Sequence, residues 1–141
     1  ITPSMKNGLY IKQIGAIKHG DIVSFCLSSH AQQIGLSQHY LQRGSGCDGS
    51  NPLIKQVIAI PGDDVVLAEN YIVVNHIKHF YKMYHVDSFN RPLITYPRGI
   101  YKNTQGYWLI GVNNTKSWDS RYWGPISEQQ IRHKLKPIVT W

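Results

Sequence analysis

Long apolar runs are missing from this sequence. No stretch approaches the roughly 18 to 20 continuous apolar residues that a helix needs to cross a bilayer, and the longest candidates, YIVV at 71–74 and YWLIGV at 107–112, have the length of strands. These residues therefore contain no membrane-spanning helix. Acidic residues are scarce too: 8 Asp and Glu stand against 15 Lys and Arg, which leaves a formal charge of +7. Such a balance suits anionic lipid headgroups, nucleic acid or an acidic partner. The basic residues are scattered rather than gathered into a stripe, which argues against a nucleic-acid surface. Cysteine occurs only at positions 26 and 47, without a convincing histidine partner for thiol chemistry. With no internal repeat, low-complexity tract or linker, residues 1–141 are expected to form one domain, and 42% apolar residues suffice for its core.

What is present alternates between strand-like runs and turn signals. GDIVSFCL, LIKQVIAIPGDDVVLA, NYIVVNHI, QGYWLIGV and KPIVTW are punctuated by Pro-Gly, Gly-Asp, Glu-Asn and Asn-Asn. The fold class expected is mainly β. Ala31 to Arg43, with apolar Ile34, Leu36, Tyr40 and Leu41 among glutamines, reads as a helix, and Ser127 with Gln130 forms a capping box for a short C-terminal helix through Leu135.

Three stretches carry potential chemistry. TPSMKNGLY, residues 2–10, sets Ser4 three residues before an Asn-Gly turn, and a serine hydroxyl needs a nearby base to become a nucleophile. The strand LIKQVIAIPGDD places Lys55 among Ile54, Val57, Ile58 and Ile60. By position alone that lysine points outward with its stem on the strand; buried without a counter-charge, its ammonium is disfavoured and a neutral amine becomes available as a base. GVNNTKSWDSRYWGP, residues 111–125, gathers Ser117, Asp119, Ser120 and Arg121 beside two tryptophans. Exposed, the Asp-Arg pair adds little; packed inside, it holds a loop rigidly, and Ser117 becomes able to aim a neighbouring amine.

Together, Ser-Met after a hydroxyl residue, Gly-Asp-Ile-Val, Lys-x-Val-x-x-x-Pro-Gly-Asp and Gly-x-Asn-x-x-x-Ser-x-Asp-Ser-Arg-x-x-Gly resemble the bacterial type I signal peptidase family over nearly the whole chain. The GLY after the serine box and the Cys-bounded helical insert before NPLIKQV are most similar to its conjugative-transfer branch, the TraF-type peptidases that mature pilin. The resemblance implies a mainly β signal-peptidase-like domain and a Ser-Lys dyad, with Ser4 as nucleophile and Lys55 as general base. It implies that Thr2 and the Ser4 backbone N–H bind the oxyanion, that Ser117 orients the lysine, and that Asp119 and Arg121 brace the site. It also implies a preprotein or prepilin substrate with small residues, typically alanine, before the cleavage site. Apolar pocket walls are expected among Met5, Ile22, Val23 and Val57. Lys6 and Val112 depart from the family, which commonly has proline and aspartate there.

Two further expectations concern the compartment. The chain starts at Ile1, close to its candidate nucleophile, which suggests an N-terminal membrane anchor or leader upstream, with the domain at the periplasmic face of the inner membrane and in contact with its anionic surface. Cys26 and Cys47 would close a loop around the helical insert as a disulfide, which fits an oxidising compartment; the competing reading is two free buried thiols. His76, His79 and His85 invite a metal site, but residues three apart on a strand face opposite sides, so none is expected, nor any cofactor. Two other functions use the same residues differently. A LexA-like self-cleaving repressor domain shares the Ser-Lys chemistry, but the Asp-Ser-Arg box, the cysteines and the lack of an Ala-Gly dipeptide argue against it. A non-catalytic module of a secretion apparatus leaves Ser4 and Lys55 unexplained.

Overall fold

The computed structural model describes residues 8–140, so Thr2, Ser4, Met5 and Lys6 lie outside the described residues. In chain order the elements are β1 (Gly8–Gln13), β2 (Ile22–Phe25), α1 (Ser29–Ser37), β3 (Arg43–Gly44), β4 (Gly49–Ser50), β5 (Leu53–Ala59), β6 (Val65–Leu67), β7 (Ile72–Val74), β8 (Ile77–His79), β9 (Gly99–Tyr101), β10 (Trp108–Ile110), α2 (Ser120–Trp123) and β11 (Ile131–Thr140). The fold is mainly β. One antiparallel sheet runs β1-β11-β2-β5-β10 and a second runs β8-β7-β6-β9, while β3 and β4 form a small hairpin beside α1.

Side-chain alternation explains how the sheets meet their cores. Along β5, Lys55, Val57 and Ala59 are buried while Ile54, Gln56 and Ile58 are half-buried, the period-2 signature of a strand with one covered face. In β10 all three residues are buried. Leu109 joins Val23, Phe25 and Val57 in one apolar cluster, and Trp108 and Ile110 join Val65, Leu67 and Ile72 in another. The strand thus feeds two cores with alternate side chains, and the loop that follows it is anchored between them.

The helical insert is shorter than its composition predicts. Instead of running from Ala31 to Arg43, α1 starts at Ser29, with Ser28 as N-cap, and ends at Ser37. His39 takes φ +63°, and Tyr40 and Leu41 turn back to donate to the Gly35 carbonyl at 2.7 and 3.1 Å. Glycine permits this: a Cβ on residue 35 would lie 2.5 Å from the Leu41 side chain and 2.9 Å from the Trp118 ring. The C-terminal helix through Leu135 is replaced by strand. Ser127 and Gln130 do form a capping box, but it opens only the 3-10 turn Glu128–Gln130. The Gln130 side chain then reaches the Cys26 carbonyl at 3.1 Å, and the chain continues as β11, with Ile131, His133 and Leu135 opposite Phe25, Ser24 and Ile22. Ladder bonds to β2 outweigh the local helix signal.

The histidines also sit differently from the strand pattern assumed for them. His76 follows Asn75 in the β7–β8 turn, with φ of 73° and 47°, as a tight hairpin turn requires. His79 lies on β8, and His85 hydrogen-bonds Glu69. Among the described residues no cluster of His, Cys, Asp and Glu is arranged to hold a metal.

Candidate active site

Lys55 stands on β5 directly opposite Val23 of β2, on the strand face that also buries Val57 and Ala59. Only 3% of it is exposed, which excludes the outward-pointing placement that position alone favours. Its Nζ donates to Ser117 Oγ at 2.6 Å. Removal from water disfavours the ammonium and is the largest influence on this group. Attraction to Asp119 opposes it and repulsion from Arg121 adds to it, and the balance lowers the pKa to about 8. Half of the amine is then neutral in mildly alkaline solution, where an ordinary lysine is almost wholly charged.

The loop that presents Ser117 is built around a buried ion pair. Asp119 and Arg121 are both 0% exposed. Asp119 caps α2 by accepting from the Arg121 backbone N–H at 3.1 Å, and its other oxygen accepts from Gly111 N–H at 3.2 Å. The guanidinium grips the carboxylate through Nε and Nη2, both at 2.9 Å. Its remaining donors reach the carbonyls of Lys82 at 2.5 Å, Thr115 at 3.0 Å and Ser117 at 3.1 Å. All five N–H donors of the arginine are used, the condition under which a buried charge is tolerated. The bond to the Ser117 carbonyl fixes the residue whose hydroxyl meets Lys55.

Ser120 is a further member of the assembly that its sequence neighbours overshadow. Fully buried, it accepts from Leu109 N–H at 2.8 Å through Oγ and ties the loop to β10. The available signal was a small hydroxyl residue just after a helix N-cap, a position that can reach back to the strand. Gly124 ends α2 with φ +77°, and a Cβ there would meet the Tyr96 ring at 2.4 Å.

A groove of about 340 Å³ is lined by residues of β5, β10 and the β7–β8 hairpin, with Val57, Ile58, Ile77, Ile110, Val112 and Tyr81 in its walls. Of the anticipated pocket residues, Val57 reaches this groove and Ile22 is half-buried. Val23 is 0% exposed inside a core cluster, so it forms no open wall, and Met5 is outside the described residues. Two residues of the groove's lining, His19 and Asn75, also pin the Pro61-Gly62-Asp63 turn: Asp63 accepts from His19 at 2.6 Å, Asn75 at 2.8 Å and Ile60 N–H at 2.9 Å.

Cys26 and Cys47 are joined by a disulfide, with Cα atoms 5.6 Å apart. The bond closes the segment containing α1 and β3 onto the end of β2. That segment in turn packs on the Ser117 loop, where the Tyr40 and Trp118 rings meet at a 49° tilt with centroids 5.1 Å apart.

Comparison with known proteins agrees with the sequence boxes. The chain is similar to the plasmid transfer protein TraF of Escherichia coli, 30% identical over 99% of this chain and 81% of that protein. It is similar to the conjugal transfer protein TraF of Agrobacterium fabrum, 28% identical over 100% of this chain and 81% of the relative. Among solved structures, a signal peptidase I from Enterococcus faecalis covers 88% of this chain and 100% of its own, at 17% identity and a TM-score of 0.49. The model of one family, described as signal peptidase, peptidase S26, matches from Thr2 to the final Trp141. A match of that extent places the whole sequence in a single lineage: the chain belongs to the signal peptidase family, peptidase S26.

Proposed function

We propose that the protein is a serine endopeptidase working through a Ser4–Lys55 dyad. The observation that carries the reading is the amine of Lys55, buried to 3% exposure, bonded to Ser117 and lowered to about 8. The neutral amine takes the Ser4 proton as the oxygen attacks the scissile carbonyl carbon, and the resulting oxyanion is held by the Thr2 hydroxyl and the Ser4 N–H. The ammonium then returns the proton to the leaving nitrogen, the C–N bond breaks, and an ester to Ser4 remains. Water, deprotonated by Lys55, attacks this ester and releases a carboxylate, with Ser4 regenerated. If an amine of the substrate attacks instead, a new amide closes and the product is a cyclic or transferred peptide. Ser117 aims the base, while Asp119 and Arg121 hold the loop that carries Ser117.

The substrate class is a leader-bearing preprotein, in particular a pilin subunit with small residues before the cleavage site; the names of the conjugal and plasmid transfer relatives support this reading. The protein acts at the periplasmic face of the inner membrane, associated with its anionic surface, which the charge of +7 and the disulfide favour. The test is to incubate a candidate prepilin with the full-length protein in lipid and weigh the products. The segment on the N-terminal side of the cut is the one held as the ester: its release as a free acid identifies hydrolysis, and its release lighter by one water identifies cyclisation. Turnover that survives in Ser4→Ala would refute the dyad.

A further inference from the structure

The second sheet is apolar on its inner face and nearly so on its outer one. The inner side chains, Val65, Leu67, Ile72 and Val74, are buried in the core cluster with Trp108 and Ile110. An antiparallel sheet covered on one side ordinarily carries polar residues on the other. Here the register sets Lys78, Val73, Val66 and Ile100 in one row across β8, β7, β6 and β9, on the outer face. Ile100 is 69% exposed, and Val66 and Val73 are half-buried. Threonine meets the same strand preference without leaving as much hydrocarbon in water, so strand formation alone does not account for the row.

The row ends in a cationic, aromatic rim. Phe80, two residues beyond Lys78, is 80% exposed. The Lys78 ammonium lies 4.4 Å from the centroid of the Tyr71 ring and 5.9 Å from that of Phe80, so the lysine stem and both rings carry the apolar row to the edge at β8. At the far end Lys102 directly follows β9 and is exposed. Asp64, which leads into β6, accepts from the Asn103 backbone N–H at 2.9 Å. Size and charge together select what covers this face. Three strand spacings of ~4.8 Å and three residues of strand length give the row on the order of 150 Å². Even with two rings added, that is well below the roughly 800 Å² that each partner of a stable protein complex buries. A second copy of the chain would also bring two charges of +7 together. A bilayer surface makes neither demand. A few aliphatic and aromatic side chains enter its headgroup region, a lysine at the rim reaches the phosphates, and a positively charged chain is drawn to anionic lipid.

We propose that the outer face of the second sheet, formed by Ile100, Val66, Val73 and Phe80 with Lys78 at its rim, is the surface by which the protein lies on an anionic bilayer. The inference rests on the reading that sets the protein at a membrane, and it is independent of the Ser4–Lys55 dyad. The inner side of the same sheet packs on Trp108 and Ile110 of β10, and β10 pairs with β5, which carries Lys55. Docking through the outer face therefore fixes how the candidate active site is turned relative to the lipid.

The test is co-sedimentation of the 141-residue chain with large vesicles, either of phosphatidylcholine alone or of phosphatidylcholine and phosphatidylglycerol in equal parts. Binding is expected to the anionic vesicles and to weaken as salt is added. Ile100→Ser and Phe80→Ser should each weaken it about tenfold. Ile94→Ser, which removes an isoleucine 75% exposed elsewhere on the molecule, should leave it unchanged. A second measurement needs no variant: lipid carrying a nitroxide at the headgroup should broaden the methyl resonances of Val66, Val73 and Ile100 before that of Ile94. Undiminished binding by Ile100→Ser and Phe80→Ser, or earlier broadening at Ile94, would overturn this face and leave the membrane reading standing. Equal binding to both kinds of vesicle would overturn the anionic partner. Absence of binding to either would overturn the face and the membrane reading together. Self-association of the chain without lipid, lost in Ile100→Ser, would assign the face to a second copy and overturn the proposal.

Discussion

Two aspartate–arginine pairs of the same chemistry do different work in this molecule. Asp119 and Arg121 are both 0% exposed, and the guanidinium spends every donor inside the protein. Asp87 and Arg91 sit near the surface, with the arginine side chain 36% and the aspartate 6% exposed. The second pair ties the insert to the loop after β8 through Tyr40 and Gln38. In the first pair, removing one partner strands a charge where water cannot reach it; in the second, the arginine is open to water, and Asp87 keeps the Tyr40 hydroxyl and the Phe89 and Arg91 backbone N–H groups when the guanidinium is lost. Burial, not the pairing itself, decides whether the fold depends on the bond.

The largest effect is expected at the buried pair. Arg121→Ala should cost about 3 to 5 kcal/mol in denaturant unfolding by leaving Asp119 uncompensated. Arg121→Lys should recover little of this, because an ammonium cannot fork to a carboxylate and three carbonyls. A near-native unfolding midpoint for either would erase the distinction between the pairs.

Removing the disulfide leaves the exposed pair to hold the insert without covalent help. Cys47→Ser should lower stability by roughly 3 kcal/mol, the value for a closed loop of about 20 residues. Limited proteolysis should then cut within residues 27–46 first while part of the activity remains. Cleavage elsewhere would mean that the insert is held by its packing alone.

The buried pair also speaks to Lys55, and pH separates the two regions. Activity should rise with pH and reach half its plateau near the value of about 8 for Lys55, and Lys55→Arg should be inactive because guanidinium keeps its proton. A flat profile from pH 6 to 9 would rule out this base. The linkage has a definite sign. The unfolded lysine binds its proton up to about pH 10.4, so between the folded and unfolded values stability climbs as pH rises, and Lys55→Met should flatten that climb. Asp87 behaves oppositely. Burial alone would raise it, but hydrogen bonds from the Arg91 backbone, Tyr40 and the Arg91 side chain outweigh burial and bring it to about 2. Its contribution is complete above the ordinary aspartate pKa and fades as pH falls towards 2.

The smallest effect is expected at the exposed pair itself. Arg91→Ala should leave the melting temperature close to that of the parent while speeding amide exchange in α1, since the losses are the latch on the Gln38 carbonyl and one of several bonds to Asp87, which keeps its Tyr40 and backbone partners. A large drop in melting temperature would show that the two pairs are equivalent after all.

The legible parts of the sequence were those with short periods or dense polar spacing. Alternation marked β2, β5, β7 and β10, and Ser117-x-Asp119-x-Arg121 announced a loop with internal partners. The burial of Lys55 was not legible, because a lysine among isoleucines fits either face of a strand until the partner strand is known. β1, β9 and the β11 ladder from Ile131 to Leu135 were missed for a related reason: tertiary pairing, not local preference, makes them strands. Ser120 carried only the mark of a hydroxyl after an N-cap, and the latch through Asp87, which joins residues distant in sequence, carried none.

The seam between β1 and β11 has a consequence of its own. β1 is the edge of its sheet and takes its ladder from β11, with Gly8 opposite Thr140 and Gln13 opposite Lys134. A chain still emerging from a ribosome or a translocation channel has nothing against which to lay down its first strand until its last strand arrives. Pairing of such remote segments is the slow kind, since a long loop must close before any contact rewards it. The placement of β1, and of the chain that leads into it, therefore waits for β11. The connectivity makes this seam the last part of its sheet to close.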